Sequence, residues 1–277
     1  MPFLEYAVAN KEGKGPGRGW WGPPAGTHVP QEGGDGGAGG SGGGAGGTEG
    51  TADTFEEATR WNNAVKFDAH TNTITAQNWG DTYLDKSQPQ GERDALTAYT
   101  SNLYDDINPH LRGKLEQTSA KFDAAAIKWA RRKRGATEAD IDEYLTDYVD
   151  DYMGTIVEDM DSSFSGSKAP SDMIVYRGIS ERRAGKLQSG DEFMDHAYVS
   201  TSLVPDKTNI FGGHRLHIRV KKDTTLVWPG RHSDNRGELE VIFPRGSRFR
   251  VIRKGVGQDY DDKNYTFVEV IESGYDD

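Results

Sequence analysis

Apolar positions change their spacing once along this 277-residue chain, from intervals of three and four to short β-branched and aromatic runs, and the change falls near Pro170. Before it, Phe55, Ala58, Trp61 and Val65 predict a short helix over Phe55–Phe67. Leu96, Tyr99, Leu103 and Ile107 predict a second over Glu92–Asp106, which Asn108-Pro109 should interrupt. An alanine-rich helix is expected over Ser119–Arg134, its last turn carrying Arg131, Arg132, Lys133 and Arg134 where the helix dipole favours cations. An acidic helix opening at Thr137 should place Ile141, Tyr144, Leu145, Tyr148, Tyr152 and Ile156 on one side.

After Pro170, strands are predicted at Met173–Tyr176, His196–Ser202, Arg215–Val220, Thr225–Trp228, Leu239–Phe243, Phe249–Arg253 and Tyr265–Ile271. Arg215–Val220 alternates, with Leu216, Ile218 and Val220 expected inward and His217 and Arg219 outward. Helices first and strands second make an α+β plan, a helical cap on an antiparallel or mixed sheet core.

Composition divides the chain. Of its 35 glycines, 18 lie in residues 1–50, too Gly- and Pro-rich a stretch to bury the apolar surface that ordering requires. Residues 1–53 are therefore expected to be a flexible tail or linker and residues 54–277 a single domain. The formal charge of −11 argues against a nucleic-acid surface that depends on bulk positive charge. There is no run of 18 apolar residues and no signal-peptide pattern at the start, so neither a membrane span nor a cleaved leader is expected. The chain has no cysteine, and His214 and His217 would face opposite sides of a strand, so no metal site is expected.

Three segments carry candidate chemistry. Ile174-Val175-Tyr176-Arg177-Gly178 is an apolar strand that ends in a guanidinium fork beside a residue without a side chain. Tyr198-Val199-Ser200-Thr201-Ser202 is a strand of short hydroxyls able to hydrogen-bond a nearby acid. In Gly237-Glu238-Leu239-Glu240, an extended chain would put both carboxylates on one face, about 6.6 Å apart. Taken singly, each has a plain structural explanation, as an edge arginine, a β-propensity run and two solvated acids.

In this order, the three segments resemble the Arg, Ser-Thr-Ser, Glu-x-Glu pattern of mono-ADP-ribosyltransferases of the cholera-toxin-like class. Tyr99-Thr100, Tyr104, Ile107-Asn108, Leu111-Arg112-Gly113 and Phe243–Phe249 extend the similarity to clostridial exoenzymes and binary-toxin enzymatic components, over about Trp79 to Ile271. The resemblance implies an N-terminal helical part packed on a mixed, mostly antiparallel two-sheet β core, with NAD as cosubstrate, a target protein as acceptor and no metal. It implies that Arg177 holds the NAD pyrophosphate, that Gly178 pairs with the nicotinamide amide, and that Asn108 and Arg112 contact the adenosine and phosphate portion. Tyr99 and Tyr104 would line the cleft. Ser200 would orient the catalytic Glu240, with Thr201 and Ser202 supporting the strand. Glu238 would handle the acceptor, and a glutamate there goes with arginine acceptors in that family.

The loop Pro229–Gly237 would read the target, although it lacks the prominent aromatic of several exoenzymes. His196-Ala197 stands where an asparagine often precedes the aromatic. The competing expectations are an NAD glycohydrolase and an inactive binding or virion-structural module. A monomer is expected, acting in the cytoplasm of a target or host cell after delivery. The Gly-rich, Trp-Trp-bearing front resembles linkers that join effector domains to phage head or other delivered proteins.

Overall fold

The computed structural model describes residues 60–68, 71–113, 137, 139–140, 143, 153–254 and 264–274, all within the unit Glu49–Asp277. The expected tail over residues 1–53, the helix over Ser119–Arg134 and nearly all of the acidic helix lie outside the described residues.

Helix α1, Thr73–Tyr83, opens where the Asn72 side chain accepts the Ile74 N–H at 2.8 Å, satisfying an otherwise unpaired donor. Helix α2, Gln90–Ala98, runs into a five-residue π-turn, Tyr99–Leu103, and then into α3, Tyr104–Leu111. Pro109 does not interrupt the run as expected. It sits inside α3 and forfeits its own rung, and the helix closes just beyond with Arg112 N–H bonded to the Asn108 carbonyl at 3.2 Å. The irregularity lies one helix earlier, in the π-turn. The first expected helix also ends early. Helical backbone stops at Asn62, and Val65 pairs as an isolated parallel bridge with Met173. Helix α4, Gly154–Ser163, buries Ile156, Met160 and Ser163, and α5 is the short Glu181–Ala184.

Seven strands follow: β1 Met173–Ile179, β2 Glu192–Met194, β3 Val199–Ser202, β4 His214–Val220, β5 Glu240–Phe243, β6 Arg248–Lys254 and β7 Asn264–Glu272. Their order is β2-β6-β7-β4-β1-β3-β5, antiparallel at every pairing except the parallel β4–β7. All seven belong to one sheet, in which the five strands ending at β1 meet the β3–β5 pair at a single register pair, Tyr176↔Ser202. Two strand assignments differ from expectation. Thr225–Trp228 makes only isolated bridges, Lys168↔Thr225 and Val227↔Ile242. The edge strand β2 was not foreseen, because three residues offer too little alternation to read.

The apolar run Val241-Ile242-Phe243 is explained by burial on both faces. Val241 and Phe243 join the sheet core with Val175, Ile218 and Val268, while Ile242 faces the other way into a cluster of Leu96, Tyr99, Ile107, Met160, Phe164 and Tyr198. The same principle corrects the reading of β4. All of its residues are buried, including His217 and Arg219, which were expected to face solvent. His217 packs its ring against Tyr176, Tyr265 and Phe267 at 4.9–5.1 Å between centroids, and the Arg219 guanidinium lies over Trp61 at 5.2 Å. Alternation assigned the right face, but aromatic side chains cover that face.

Candidate functional site

The single-pair contact between β1 and β3 also makes the site. A cavity of about 350 Å³ opens where these strands part, within the size range of cofactor sites. Arg177 and Gly178 from the end of β1, Ser200 from β3, and Glu238 and Glu240 line it, and Tyr104 and Asn108 from α3 form another wall. Seven of the nine expected site residues thus meet in one place.

The three hydroxyls of β3 have different partners. Ser202 donates to the Glu238 carbonyl at 2.6 Å and Thr201 to the Val241 carbonyl at 2.7 Å, which secures the segment that carries both acids. Ser200 lies 3.1 Å from the Tyr99 hydroxyl, which accepts from Asn108 Nδ2 at 3.0 Å, and it also hydrogen-bonds Glu240. A hydroxyl has one proton. Since Asn108 donates to Tyr99, the consistent order with an ionised acid is Asn108 to Tyr99 to Ser200 to Glu240. Burial and the Glu240 charge push the Tyr99 hydroxyl up to about 12, so it remains a donor throughout the physiological range.

The two acids are not one pleat apart on a strand, as the sequence suggested. Glu238 ends a 3₁₀ turn, Arg236–Glu238, and only Glu240 belongs to β5. Leu239 between them has φ 52° and ψ 47°, a left-handed conformation that costs a branched residue roughly 1–2 kcal/mol. Leu239 is held there by burial in the sheet core and by the Leu203 N–H bonded to its carbonyl at 3.0 Å. The turn, rather than the pleat, brings both carboxylates to the cavity.

Burial, reinforced by Glu238 and opposed by the Ser200 hydrogen bond and Arg177, pushes Glu240 up to about 7. Burial also raises Glu238, and Lys207 opposes that rise. Arg177 is lowered from its ordinary value by burial, against the attraction of Asp195. Arg177 Nη1 donates to the Ser200 carbonyl at 2.8 Å, tying the cation of one strand to the hydroxyl strand beside it. The site can therefore hold an anion at its Arg177 end and stabilise a developing cation at Glu240.

The other two of the nine, Tyr99 and Arg112, are not among the residues that line the cavity. Tyr99 is fully buried behind the wall, positioning Ser200. Arg112 is forked onto Asp195, its Nε and Nη2 donating at 2.8 and 3.1 Å. Burial alone would raise the Asp195 carboxyl, but the Arg112 hydrogen bonds and charge hold it below the usual range. This pair ties the end of α3 to the entry of β3. Asp195→Ala should cost about 2 kcal/mol in urea unfolding, less than a wholly buried pair because the Arg112 side chain is 25% exposed.

Thr100 of the helical signature and Asn235 of the Pro229–Gly237 loop also line the cavity, as do Arg183, Lys207 and Thr208, which the sequence reading did not single out. Lys207 and Thr208 lie on a 3₁₀ turn, Pro205–Phe211, and fully buried Arg215 donates to Thr208 at 3.0 Å from behind the wall. The readable signals were the Pro205-Asp206 turn start and the Ser180-Glu181 helix start, which mark local structure but not a direction. Among the described residues, no group of three or more His, Asp or Glu is placed to hold a metal, and no helix is long and apolar enough to cross a membrane.

The sequence profile of the ADP-ribosyltransferase exoenzyme family matches residues 76–272, and the chain belongs to that family. Over 191 residues it is 25% identical to the mono-ADP-ribosyltransferase C3 of Hathewaya limosa, covering 68% of this chain and 73% of the relative. Among solved structures, Plx2a, an ADP-ribosyltransferase toxin from Paenibacillus larvae, aligns with TM-score 0.54 at 18% identity over 74% of this chain and all of that one. C3stau2 from S. aureus, solved with NAD, aligns with TM-score 0.54 at 19% identity over 76% and 99%. The Clostridium limosum C3 exoenzyme aligns with TM-score 0.52 at 22% identity over 75% and 97%. These likenesses establish the α+β ADP-ribosyltransferase toxin fold.

Proposed function

We propose that the protein transfers ADP-ribose from NAD to an arginine side chain of a target protein and releases nicotinamide. The observation that carries this reading is the meeting of Arg177, Ser200, Glu240 and Glu238 at one cavity in a member of this family. Arg177 binds the pyrophosphate through its fork, and the backbone at Gly178 takes the nicotinamide amide. The bond between ribose C1′ and the nicotinamide nitrogen breaks with its electron pair going to the ring, cancelling the ring's charge. Positive charge develops on C1′ and the ribose oxygen, and the Glu240 carboxylate, oriented by Ser200, stabilises it. Glu238 orients the incoming guanidinium and accepts its proton as nitrogen bonds to C1′.

Incubation with NAD and agmatine, a free guanidinium acceptor, should give ADP-ribosyl-agmatine. Nicotinamide release at the same rate with or without acceptor, and no adduct, would indicate a glycohydrolase instead. Because Glu240 is pushed up to about 7, it is protonated below that pH and cannot stabilise the cation. The rate constant kcat/KM for NAD should therefore fall about tenfold per pH unit on the acid side of pH 7. An acid limb near the ordinary glutamate value would contradict the role given to the buried carboxylate.

A further inference from the structure

The turn that carries Glu238 is held by two parts of the molecule at once. From β3, Ser202 and Leu203 hold the carbonyls of Glu238 and Leu239. From the other side, the hold comes from the end of α2 and the start of the π-turn. The Thr97 hydroxyl, shared with the Arg93 carbonyl, donates to the His232 carbonyl at 2.7 Å. The Thr100 hydroxyl accepts the Asp234 N–H at 3.2 Å, and the Thr100 carbonyl accepts Asn235 Nδ2 at 2.8 Å. Tyr99, one of the two residues between them, aims the other way and bonds Ser200, the partner of Glu240. A four-residue segment thus reaches one acid through a side-chain relay and the other through the backbone of its turn.

We infer that Thr97–Thr100 is a positioning segment for both carboxylates, and that Thr97 and Thr100 set Glu238 relative to Glu240 and so favour transfer to the acceptor over hydrolysis. The inference rests on the acceptor role proposed above for Glu238. Its physical basis is that Glu238 ends a 3₁₀ turn, lies just before the left-handed Leu239 and stands outside the paired strand, so the carboxylate stays only where the turn is held. Glu240 starts a paired strand and does not depend on this hold, since β5 is fixed by its register with β3. Loosening the turn should therefore separate the two activities.

The test uses the full chain with Thr97→Val, which keeps the shape and β-branching but lacks the hydroxyl, and Thr97→Ser, which keeps the hydroxyl. Amide exchange over residues 231–239, nicotinamide release in water and ADP-ribosyl-agmatine formation are measured for each. Thr97→Val should speed exchange in that segment, leave nicotinamide release within about twofold of wild type, leave KM for NAD unchanged, and lower kcat/KM for agmatine transfer about fivefold. Thr97→Ser should restore both exchange and transfer. Unchanged exchange, an equal fall in hydrolysis and transfer, or a serine variant that behaves like valine would each overturn the inference. A wild-type protein that cleaves NAD without forming the agmatine adduct would overturn the arginine-acceptor reading instead. The exchange comparison would then still decide whether Thr97 holds the turn.

Discussion

Glu240→Gln should lower nicotinamide release by about a thousandfold or more while NAD binding, followed by calorimetry, stays within a few-fold of wild type. Glutamine keeps the shape of the side chain and can still accept the Ser200 hydrogen bond, so what is removed is the negative charge facing C1′. That charge matters mainly when the ribose becomes cationic, and the loss should fall on kcat rather than on binding. An opposite effect is expected on stability. Glu240 is raised in the folded state, so the native protein binds a proton that the unfolded chain has released between the ordinary glutamate value and about 7. Stability from this group is therefore full at low pH and declines as pH rises through that window. Glu240→Gln should be more stable than wild type by on the order of 2 kcal/mol at pH 8, seen as a higher unfolding temperature, with the gap closing toward pH 5. Equal nicotinamide release by variant and wild type would remove Glu240 from the mechanism.

Glu238→Gln should show the complementary pattern, with transfer to agmatine falling by about a hundredfold or more and NAD hydrolysis retained in large part. The amide still hydrogen-bonds an acceptor but cannot take its proton, and water, unlike a guanidinium, need not lose a charge before attacking. The Glu238 side chain reaches the cavity from a turn, and the β3 contacts to this turn are made with the main-chain carbonyls of Glu238 and Leu239, so the substitution leaves that scaffold intact. Losing Glu238 also removes a negative neighbour that helps to raise Glu240. The acid limb of the residual hydrolysis should therefore move to lower pH. Equal loss of both activities would mean that Glu238 serves cleavage and not the acceptor.

Much of the cavity wall could be read from residue order, because Arg177-Gly178, the hydroxyls of Ser200–Ser202 and the acids before Val241 interrupt runs that are otherwise apolar. A polar residue at the end of a buried strand has few places to go except an opening. The path between the acids could not be read. Leucine rarely takes a left-handed conformation, and a neighbouring glycine, Gly237, was available to take any such turn; Leu239 takes it because Leu203 and the sheet core hold it. The family resemblance alone assigns Arg112 to the adenosine and phosphate portion of NAD, and nothing in its local sequence names a partner within the chain. The oxyanion that Arg112 meets is Asp195 of its own chain, 83 residues away.

The sequence by itself determined the α+β plan, the apolar strands, and the residue types that a cation-stabilising, anion-holding site requires, because periodicity and residue chemistry are local properties. Tertiary structure alone decided that β1 and β3 part after one residue pair, that the second face of β4 is covered, and which cations are taken up by internal partners. It also decided that the segment Thr97–Thr100 touches the supports of both acids. Each of these depends on distant segments closing onto one another, and a residue's spacing along the chain carries no record of what it will meet across that distance.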